Sequence, residues 1–204
     1  FCTEESGVRH LEQEKVKGEV HFVGNTMIDT LLRMLPTISQ IELSDIAKKY
    51  GQFAIATLHR PSNVDKQESL ERCIRFLEAV HERTPVILPA HPRLTAALDK
   101  FGIKTSFPLH GPMEYLNFLR HVQASAFILT DSGGIQEEAV LMRKRCFTLR
   151  RNTERPVTIG VGSNILIDPS AERDRRAVLE FAEAPGDVGV DIPDMKTDFD
   201  GAPK

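Results

Sequence analysis

Short apolar runs alternate with amphipathic stretches along most of the chain, and this alternation restricts the fold more than any other feature. The runs are rich in Val, Ile, Phe and Leu and show no regular polar alternation, as is typical of strands buried on both faces. Strands are predicted at 21–24, 53–58, 86–90, 105–109, 125–131, 146–150 and 164–168. Because strands and helices alternate, the sequence predicts an α/β fold, a Rossmann-like doubly wound parallel sheet.

The stretches between the runs carry helix signals. Residues 67–83 place apolar side chains at helical spacing, with charged residues elsewhere. Asn25 is a candidate N-cap for a helix over 26–35, and Pro36 is expected to end that helix because it lacks an N–H donor. A further short helix is predicted to begin near Ser44.

Composition excludes several classes of protein. The 204 residues are 41% hydrophobic and 27% charged, which permits a core of normal size. The net charge of −3 and the lack of a basic stripe argue against a nucleic-acid partner. No apolar run reaches the ~20 residues of a membrane helix, so we expect no membrane partner. Three widely spaced cysteines favour a reducing cytoplasm over a disulfide framework or a zinc site.

Two cationic loops follow predicted strands, where ligands bind in doubly wound sheets. HRP (59–61) follows one strand and HPR (91–93) follows another. Histidine and arginine both bind phosphate oxygens, arginine as a fixed fork. Each loop alone also fits a structural interpretation, as a capping pair or a proline that begins a helix. Together they would bring four cations to one edge of the sheet, which indicates an anionic ligand.

The stretch TDSGGIQEEA (130–139) is the most specific signal. Ser132 can cap a helix, and the glycines at 133–134 let the backbone approach a ligand closely. Helix N–H groups and the helix dipole favour an anion there. Glu138 is a candidate for binding a ribose hydroxyl, as a carboxylate does in dinucleotide sites. Glu137 is expected to be a first-turn acid that only complements the dipole, an interpretation that is also open for Glu138.

Two further segments are candidates. In the loop 152–156, Arg155 would be a natural phosphate partner, and a structural Glu–Arg pair is the alternative. The segment 111–119 carries Met113 and Phe118 at helical spacing. Such residues belong to a core in most proteins, but they can also wall a flat base.

With these motifs assembled, the chain resembles the non-hydrolysing UDP-N-acetylglucosamine 2-epimerases over residues 1 to about 168. The similar stretches occur in family order at 23–32, 57–65, 90–93, 111–119, 129–139 and 148–167. The resemblance implies a GT-B arrangement, two Rossmann-like domains with the active site between them, of which this chain would be the C-terminal one. We therefore expect a linker and tail of the N-terminal domain at 1–20, a UDP-binding domain at 21–183 and a truncated, loop-rich tail at 184–204.

The resemblance also assigns roles, and these remain expectations. His59 is the candidate catalytic residue, a diphosphate contact near the reacting centre. The implied UDP contacts are the diphosphate cradle Ser132, Gly133 and Gly134, the ribose carboxylate Glu138, the diphosphate partner Arg155, the uracil pocket Met113 and Phe118, and the neighbouring cations Arg60 and His91.

The implied reaction converts UDP-N-acetylglucosamine to UDP-N-acetylmannosamine by elimination and re-addition of UDP, with no metal or nicotinamide cofactor. The resemblance implies a homodimer at full length. Acids and bases for the proton transfer would lie in the other domain, so this chain alone is expected to be inactive. Departures from the family pattern are Ser62 in place of Glu, the charged run 143–145 in place of a Gly-x-Pro turn, and no closing helix after residue 184. A non-catalytic UDP-sugar-binding module and a GT-B glycosyltransferase relative are the alternatives.

Overall fold

A computed structural model of the protein describes residues 1–186. Its five strands are parallel and form one sheet in the order β2-β1-β3-β4-β5. The strands are β1 (Ala54–Thr57), β2 (Val86–Ile87), β3 (Phe127–Thr130), β4 (Arg145–Thr148) and β5 (Asn164–Leu166). The predicted α/β class with a parallel sheet is confirmed.

Helices connect the strands and cover the sheet. They are α1 (Glu5–Gln13), α2 (Thr26–Gln40), α3 (Asp45–Tyr50), α4 (Pro61–Val64), α5 (Gln67–His81), α6 (Pro92–Phe101), α7 (Tyr115–Ala124), α8 (Gly133–Leu141), α9 (Pro156–Gly160) and α10 (Glu172–Glu183). None of the helices in the described part of the chain combines the length and the apolar character needed to cross a membrane.

The sheet is buried on both faces. In β3, Phe127 and Leu129 pack with α5, α6 and α10 on one face. Ile128 points to the other face, where α7 and α8 contribute to the packing and α2 covers α7. All three side chains are fully buried. Burial on both faces explains why the strands read as unbroken apolar runs in the sequence.

The chain reverses direction across the sheet between β1 and β3. From β1 it crosses to β2 on one side and then returns to β3 on the other. Such a switch point leaves a crevice beyond the carboxyl ends of the two strands. The loop after β1 and the loop after β3 meet there, since the Arg60 backbone N–H donates to the Asp131 carboxylate at 2.8 Å. The sheet therefore brings the motifs HRP and DSGG together.

The expectation that Pro36 ends a helix was wrong, because α2 continues through it to Gln40. Within a helix, proline removes one backbone hydrogen bond and crowds the preceding turn. Leu31 and Ile38 lie on either side of it, and both are fully buried in a cluster with Leu119 of α7. Burial of this helix face offsets the local disadvantage of the proline.

Replacing Pro36 by Ala is accordingly expected to raise the free energy of unfolding by about 1–2 kcal/mol. Proline is about 3 kcal/mol less favourable than alanine inside a helix. Part of this gain is lost, because alanine leaves the unfolded chain more flexible than proline does. Urea unfolding followed by circular dichroism measures the change. The matched control is Pro92→Ala, because Pro92 begins α6, where proline fits without strain. Equal stabilisation by both substitutions would contradict the explanation.

The predicted strands at 21–24 and 105–109 do not form. The first segment makes one isolated bridge, Cys2 with Phe22, and the isolated bridge of Pro89 with His110 lies directly after the second segment. Phe22 is 57% exposed, so no second sheet face covers it. The predicted tail at 184–204 lies outside the described residues from residue 187 onward.

Candidate functional site

A cavity of about 480 Å³ lies beyond the carboxyl ends of β1, β2 and β3, at the switch point. Loops after all three strands line it, together with the start of α7 and of α8. Seven of the ten predicted site residues face it, namely His59, His91, Met113, Phe118, Ser132, Gly134 and Glu138. We call this cavity the switch-point cleft.

His59 is held by a buried carboxylate. Asp131 is 0% exposed, and its Oδ1 lies 2.9 Å from Nδ1 of His59. Burial opposes ionisation of Asp131, but hydrogen bonds from the His59 ring and from the backbone of Arg60 and His59 outweigh it, so the pKa of this carboxyl lies below its usual value. Because Nδ1 donates to Asp131, Nε2 is the nitrogen of His59 left to exchange a proton with a ligand. Sequence reasoning missed Asp131, although its position directly after β3 was an available signal.

His91 has the complementary arrangement. It occupies the N-cap of α6, and its Nδ1 accepts from the backbone N–H of Arg93 at 3.1 Å. In the neutral ring the proton therefore lies on Nε2, which can donate to an anion. The rings of His59 and His91 lie 5.8 Å apart between centroids. The pair thus offers one accepting and one donating nitrogen within the same cleft.

The start of α8 contributes backbone N–H donors. Ser132 lies at the N-cap as predicted, but its side chain makes no capping hydrogen bond. The first-turn N–H groups have no partner within the helix, and the helix dipole favours an anion at this end. A Cβ on Gly133 would lie 2.5 Å from Oε1 of Glu154, and one on Gly134 would lie 3.1 Å from the methyl of Met27. A side chain at 133 would therefore displace the carboxylate of Glu154, so the packing favours glycine at this position.

Glu138 is the buried carboxylate of the cleft. It is 2% exposed and accepts a hydrogen bond of 2.5 Å from the hydroxyl of Tyr115. Burial raises the pKa of Glu138, the hydrogen bond from Tyr115 opposes this, and the charge of Glu137 adds to the rise. The motif 130–139 indicated Glu138 but gave no sign of its partner Tyr115, since that contact spans the fold.

The expectation that Glu137 only complements the helix dipole was wrong, because its carboxylate is buried and has specific partners. It is 2% exposed, accepts from Nδ2 of Asn25 at 2.7 Å and pairs with Nε of Arg155 at 3.1 Å. Burial raises its pKa, and the charge of Arg155 opposes the rise. The cause is the position of α8, which lies between the sheet and α2, so this side of the helix is enclosed by protein.

The predicted arginines lie outside the switch-point cleft. Arg155 is held by Glu137 and by Glu4, whose Oε1 lies 3.6 Å from its Nη1. Arg60 pairs with Glu154 at 3.1 Å. The four cations expected along this edge therefore do not converge. Only the two histidines face the cleft, since Arg93 pairs with Asp65 at 2.6 Å. In the loop 152–156, the alternative of structural Glu–Arg pairing is observed.

A parallel sheet with a cleft at its switch point, a glycine-led helix start and a buried carboxylate defines an α/β domain of the Rossmann-like class. Comparison with known proteins gives the family. The profile described as UDP-N-acetylglucosamine 2-epimerase matches residues 1–189, and the chain belongs to this family.

Individual relatives agree with this assignment. The chain is 33% identical to a UDP-N-acetylglucosamine 2-epimerase of Methanococcus maripaludis, over 84% of this chain and 50% of the relative. It is also 33% identical to a UDP-2,3-diacetamido-2,3-dideoxy-D-glucuronate 2-epimerase of Pseudomonas aeruginosa, over 82% of this chain and 48% of that protein. The crystal structure of the Methanocaldococcus jannaschii UDP-GlcNAc 2-epimerase in complex with UDP-GlcNAc and UDP superimposes with a TM-score of 0.79 at 30% identity, covering 91% of this chain and 54% of that one. The chain thus spans about half the length of the curated relatives it matches.

Proposed function

We propose that this chain is the UDP-binding half of a UDP-N-acetylglucosamine 2-epimerase. The observation that carries the proposal is that an anion-favouring helix start, two histidines and a buried carboxylate share one cleft. A nucleoside diphosphate sugar needs these partners in this combination, donors for its diphosphate and an acceptor for its ribose. The UDP-binding domain would be residues 21–183, with 1–20 leading in from the other domain and 184–204 following it.

The cleft divides into three parts for UDP. Backbone N–H groups at the start of α8 and the hydroxyl of Ser132 would hold the diphosphate, with Nε2 of His91 as a further donor. Glu138 would accept from a ribose hydroxyl. Met113 and Phe118 line the cleft and would pack against the uracil ring.

His59 would act at the reacting centre. Elimination removes the proton at C2 of the sugar and breaks the bond between C1 and the diphosphate oxygen, so negative charge develops on the departing UDP. Fixed donors aimed at that oxygen stabilise the transition state, and a protonated Nε2 of His59 can serve as one. Re-addition of UDP, with protonation on the other face of C2, completes the inversion. The groups that move the C2 proton would belong to the other half of the enzyme.

Arg155 and Arg60 would join the site only by exchanging partners. Arg155 now pairs with Glu137 and Glu4, and a diphosphate would compete with these carboxylates for its guanidinium group. Arg60 would have to leave Glu154 in the same way.

The isolated chain is expected to bind UDP without turning over UDP-N-acetylglucosamine, because the groups proposed to move the C2 proton would belong to the other half of the enzyme. Isothermal titration with UDP tests the first part, and NMR of the anomeric sugar signals tests the second. ADP is the control ligand, since a pocket suited to uracil should bind it more weakly. The proposal fails if UDP and ADP bind equally, or if the isolated chain itself forms UDP-N-acetylmannosamine.

We further propose that the full-length enzyme is a cytoplasmic homodimer that uses no cofactor and no nucleic acid. The three cysteines are buried and free, which supports a reducing compartment. A protein that joins this chain to its other half and binds UDP-sugar without converting it would instead be a non-catalytic binding module. If such a protein instead transferred the sugar to an acceptor and formed a glycoside, it would be a glycosyltransferase relative. Mass spectrometry of the products distinguishes these cases.

A further inference from the structure

A second cavity lies at the carboxyl edge of the sheet, beside α5. It has a volume of about 520 Å³ and is lined by arginines from three elements. Arg60 precedes α4, Arg72 belongs to α5, and Arg150 and Arg151 follow β4. We call it the arginine cavity. It shares no lining residue with the switch-point cleft.

The arginine cavity carries an excess of positive charge. Among the lining residues that the structure describes, Asp168 is the one carboxylate, and it pairs with Arg151 at 2.9 Å. Glu154 serves two of the arginines, with Nη1 of Arg150 at 2.7 Å and Nη2 of Arg60 at 3.1 Å. Four guanidinium groups therefore meet two carboxylates in a chain whose net charge is −3.

Arg72 has no hydrogen-bond or ion-pair partner within the part of the chain that the structure describes. Ser69 and Cys73, which also belong to α5, line the arginine cavity as well. A guanidinium group presents donors in a planar fork that matches the oxygens of a phosphate. Arg72 is thus free to take a ligand that the paired arginines would help to hold.

The thiol at this site, Cys73, is poorly suited to a covalent role. Burial raises the pKa of Cys73 to about 12, so the thiol stays neutral and is a poor nucleophile. Polar side chains complete the lining, among them Ser62 and Asn63. These groups suit reversible binding of an oxyanion.

The wall between the two cavities is well fixed. Asn63 donates from Nδ2 to Oδ2 of Asp131 at 3.2 Å and to the carbonyl of Leu149 at 3.0 Å. Arg60 donates from Nε to the Asp131 carbonyl at 3.2 Å. Asp131 in turn holds His59, which faces the switch-point cleft. The two cavities therefore lie back to back on one hydrogen-bonded wall.

We propose that the arginine cavity is a second anion site, which takes a small phosphate-type oxyanion independently of the nucleotide in the switch-point cleft. Its ligand is a mono- or diphosphate group held by Arg72, with Arg151 as the second cation. The site does not rest on the epimerase proposal, because Arg72 and Arg151, which would hold its ligand, take no part in the proposed UDP site.

The test is isothermal titration of the full chain with inorganic pyrophosphate, in the presence of saturating UDP and at constant ionic strength. Saturable binding to one site is expected. Arg72→Gln and Arg151→Gln should each weaken it by about tenfold or more, since a charge-assisted hydrogen bond is lost. Arg75→Gln is the matched control. Arg75 lies on the same helix, pairs with Glu71 and does not line the cavity, so its loss removes one charge without altering the site.

Three outcomes would overturn the proposal. They are no saturable binding in the presence of UDP, equal weakening by Arg75→Gln, and unchanged affinity in both Arg72→Gln and Arg151→Gln. Side-chain exposure of Arg151 is 82%, so its substitution should leave the fold intact and keep the test decisive if the Arg72 variant unfolds. If the chain bound pyrophosphate but not UDP, the assignment of the switch-point cleft to UDP would be refuted and the second anion site would stand.

Discussion

Replacing Asp131 by Asn should lower the free energy of unfolding by about 3–5 kcal/mol, the range for breaking a buried ion pair from one side. The carboxylate accepts from the backbone N–H groups of His59 and Arg60 at 2.9 and 2.8 Å, and from Nδ2 of Asn63 at 3.2 Å. It also pairs with Nδ1 of His59 at 2.9 Å. An amide can accept at only one of its two atoms, so its NH2 group would face donors. Urea unfolding near neutral pH measures the loss.

The matched control is Asp99→Asn on α6, an exposed position where a change within about 0.5 kcal/mol is expected. The prediction would be refuted if the Asp131 variant were as stable as this control. The substitution should also loosen the loop that follows β1, because the backbone N–H groups of His59 and Arg60 and Nδ1 of His59 would be left with a single acceptor oxygen.

The stability contributed by Asp131 has a defined pH window. Its pKa in the folded protein is lowered, so the contribution is fully present above the unfolded value of about 3.9. It is lost as the pH falls through the lowered folded value. The free energy of unfolding of the wild type should therefore fall more steeply with decreasing pH below about pH 4. The Asn variant should lack this contribution to the pH dependence. Identical acid profiles for the two proteins would assign the acid sensitivity to other carboxyl groups.

Replacing Glu138 by Gln is expected to weaken UDP binding by about 10- to 100-fold, because hydrogen bonds to a charged group contribute about 1.5–3 kcal/mol. The amide keeps the size of the side chain, so the fold should persist. A helix-dipole role alone predicts almost no change in affinity. Isothermal titration with UDP distinguishes the two interpretations, and Glu180→Gln on the exposed face of α10 is the matched control.

Affinity for UDP should also depend on pH through Glu138. Burial raises its pKa in the free protein, so it protonates at a higher pH than the usual value of about 4.3. The protonated form is a weaker acceptor for a ribose hydroxyl. As the pH is lowered, UDP affinity should therefore begin to fall while the pH is still above about 4.3. The Gln variant should not show this dependence. A wild-type profile parallel to that of Glu138→Gln would count against the ribose role.

The fold class and the position of the cleft could be predicted from the sequence for a physical reason. Strands buried on both faces lose their polar alternation, and this marked the runs at 53–58 and 125–131 as parallel strands. Ligands bind beyond the carboxyl ends of such strands, so the loops that follow them were the right place to search. Seven of the ten candidate residues accordingly face the switch-point cleft.

The misses share a different cause. Pro36 lies within a helix because Leu31 and Ile38 are buried, and Glu137 is enclosed because α2 covers its side of α8. Both depend on contacts between segments far apart in sequence. Arginine side chains are long, and the carboxylates that hold Arg155 come from Glu137 on α8 and from Glu4 at the N-cap of α1. A local pattern contains none of these contacts.

The lengths of the strands bear on how the folded chain behaves at high concentration. The two edge strands are the shortest, with two residues in β2 and three in β5, whereas each of the inner three has four. An edge strand exposes unpaired backbone groups on which another chain can add a strand, and a short edge offers few of them. The sheet therefore presents little template for aggregation through strand addition, even though Ile165 leaves an apolar side chain 42% exposed on β5.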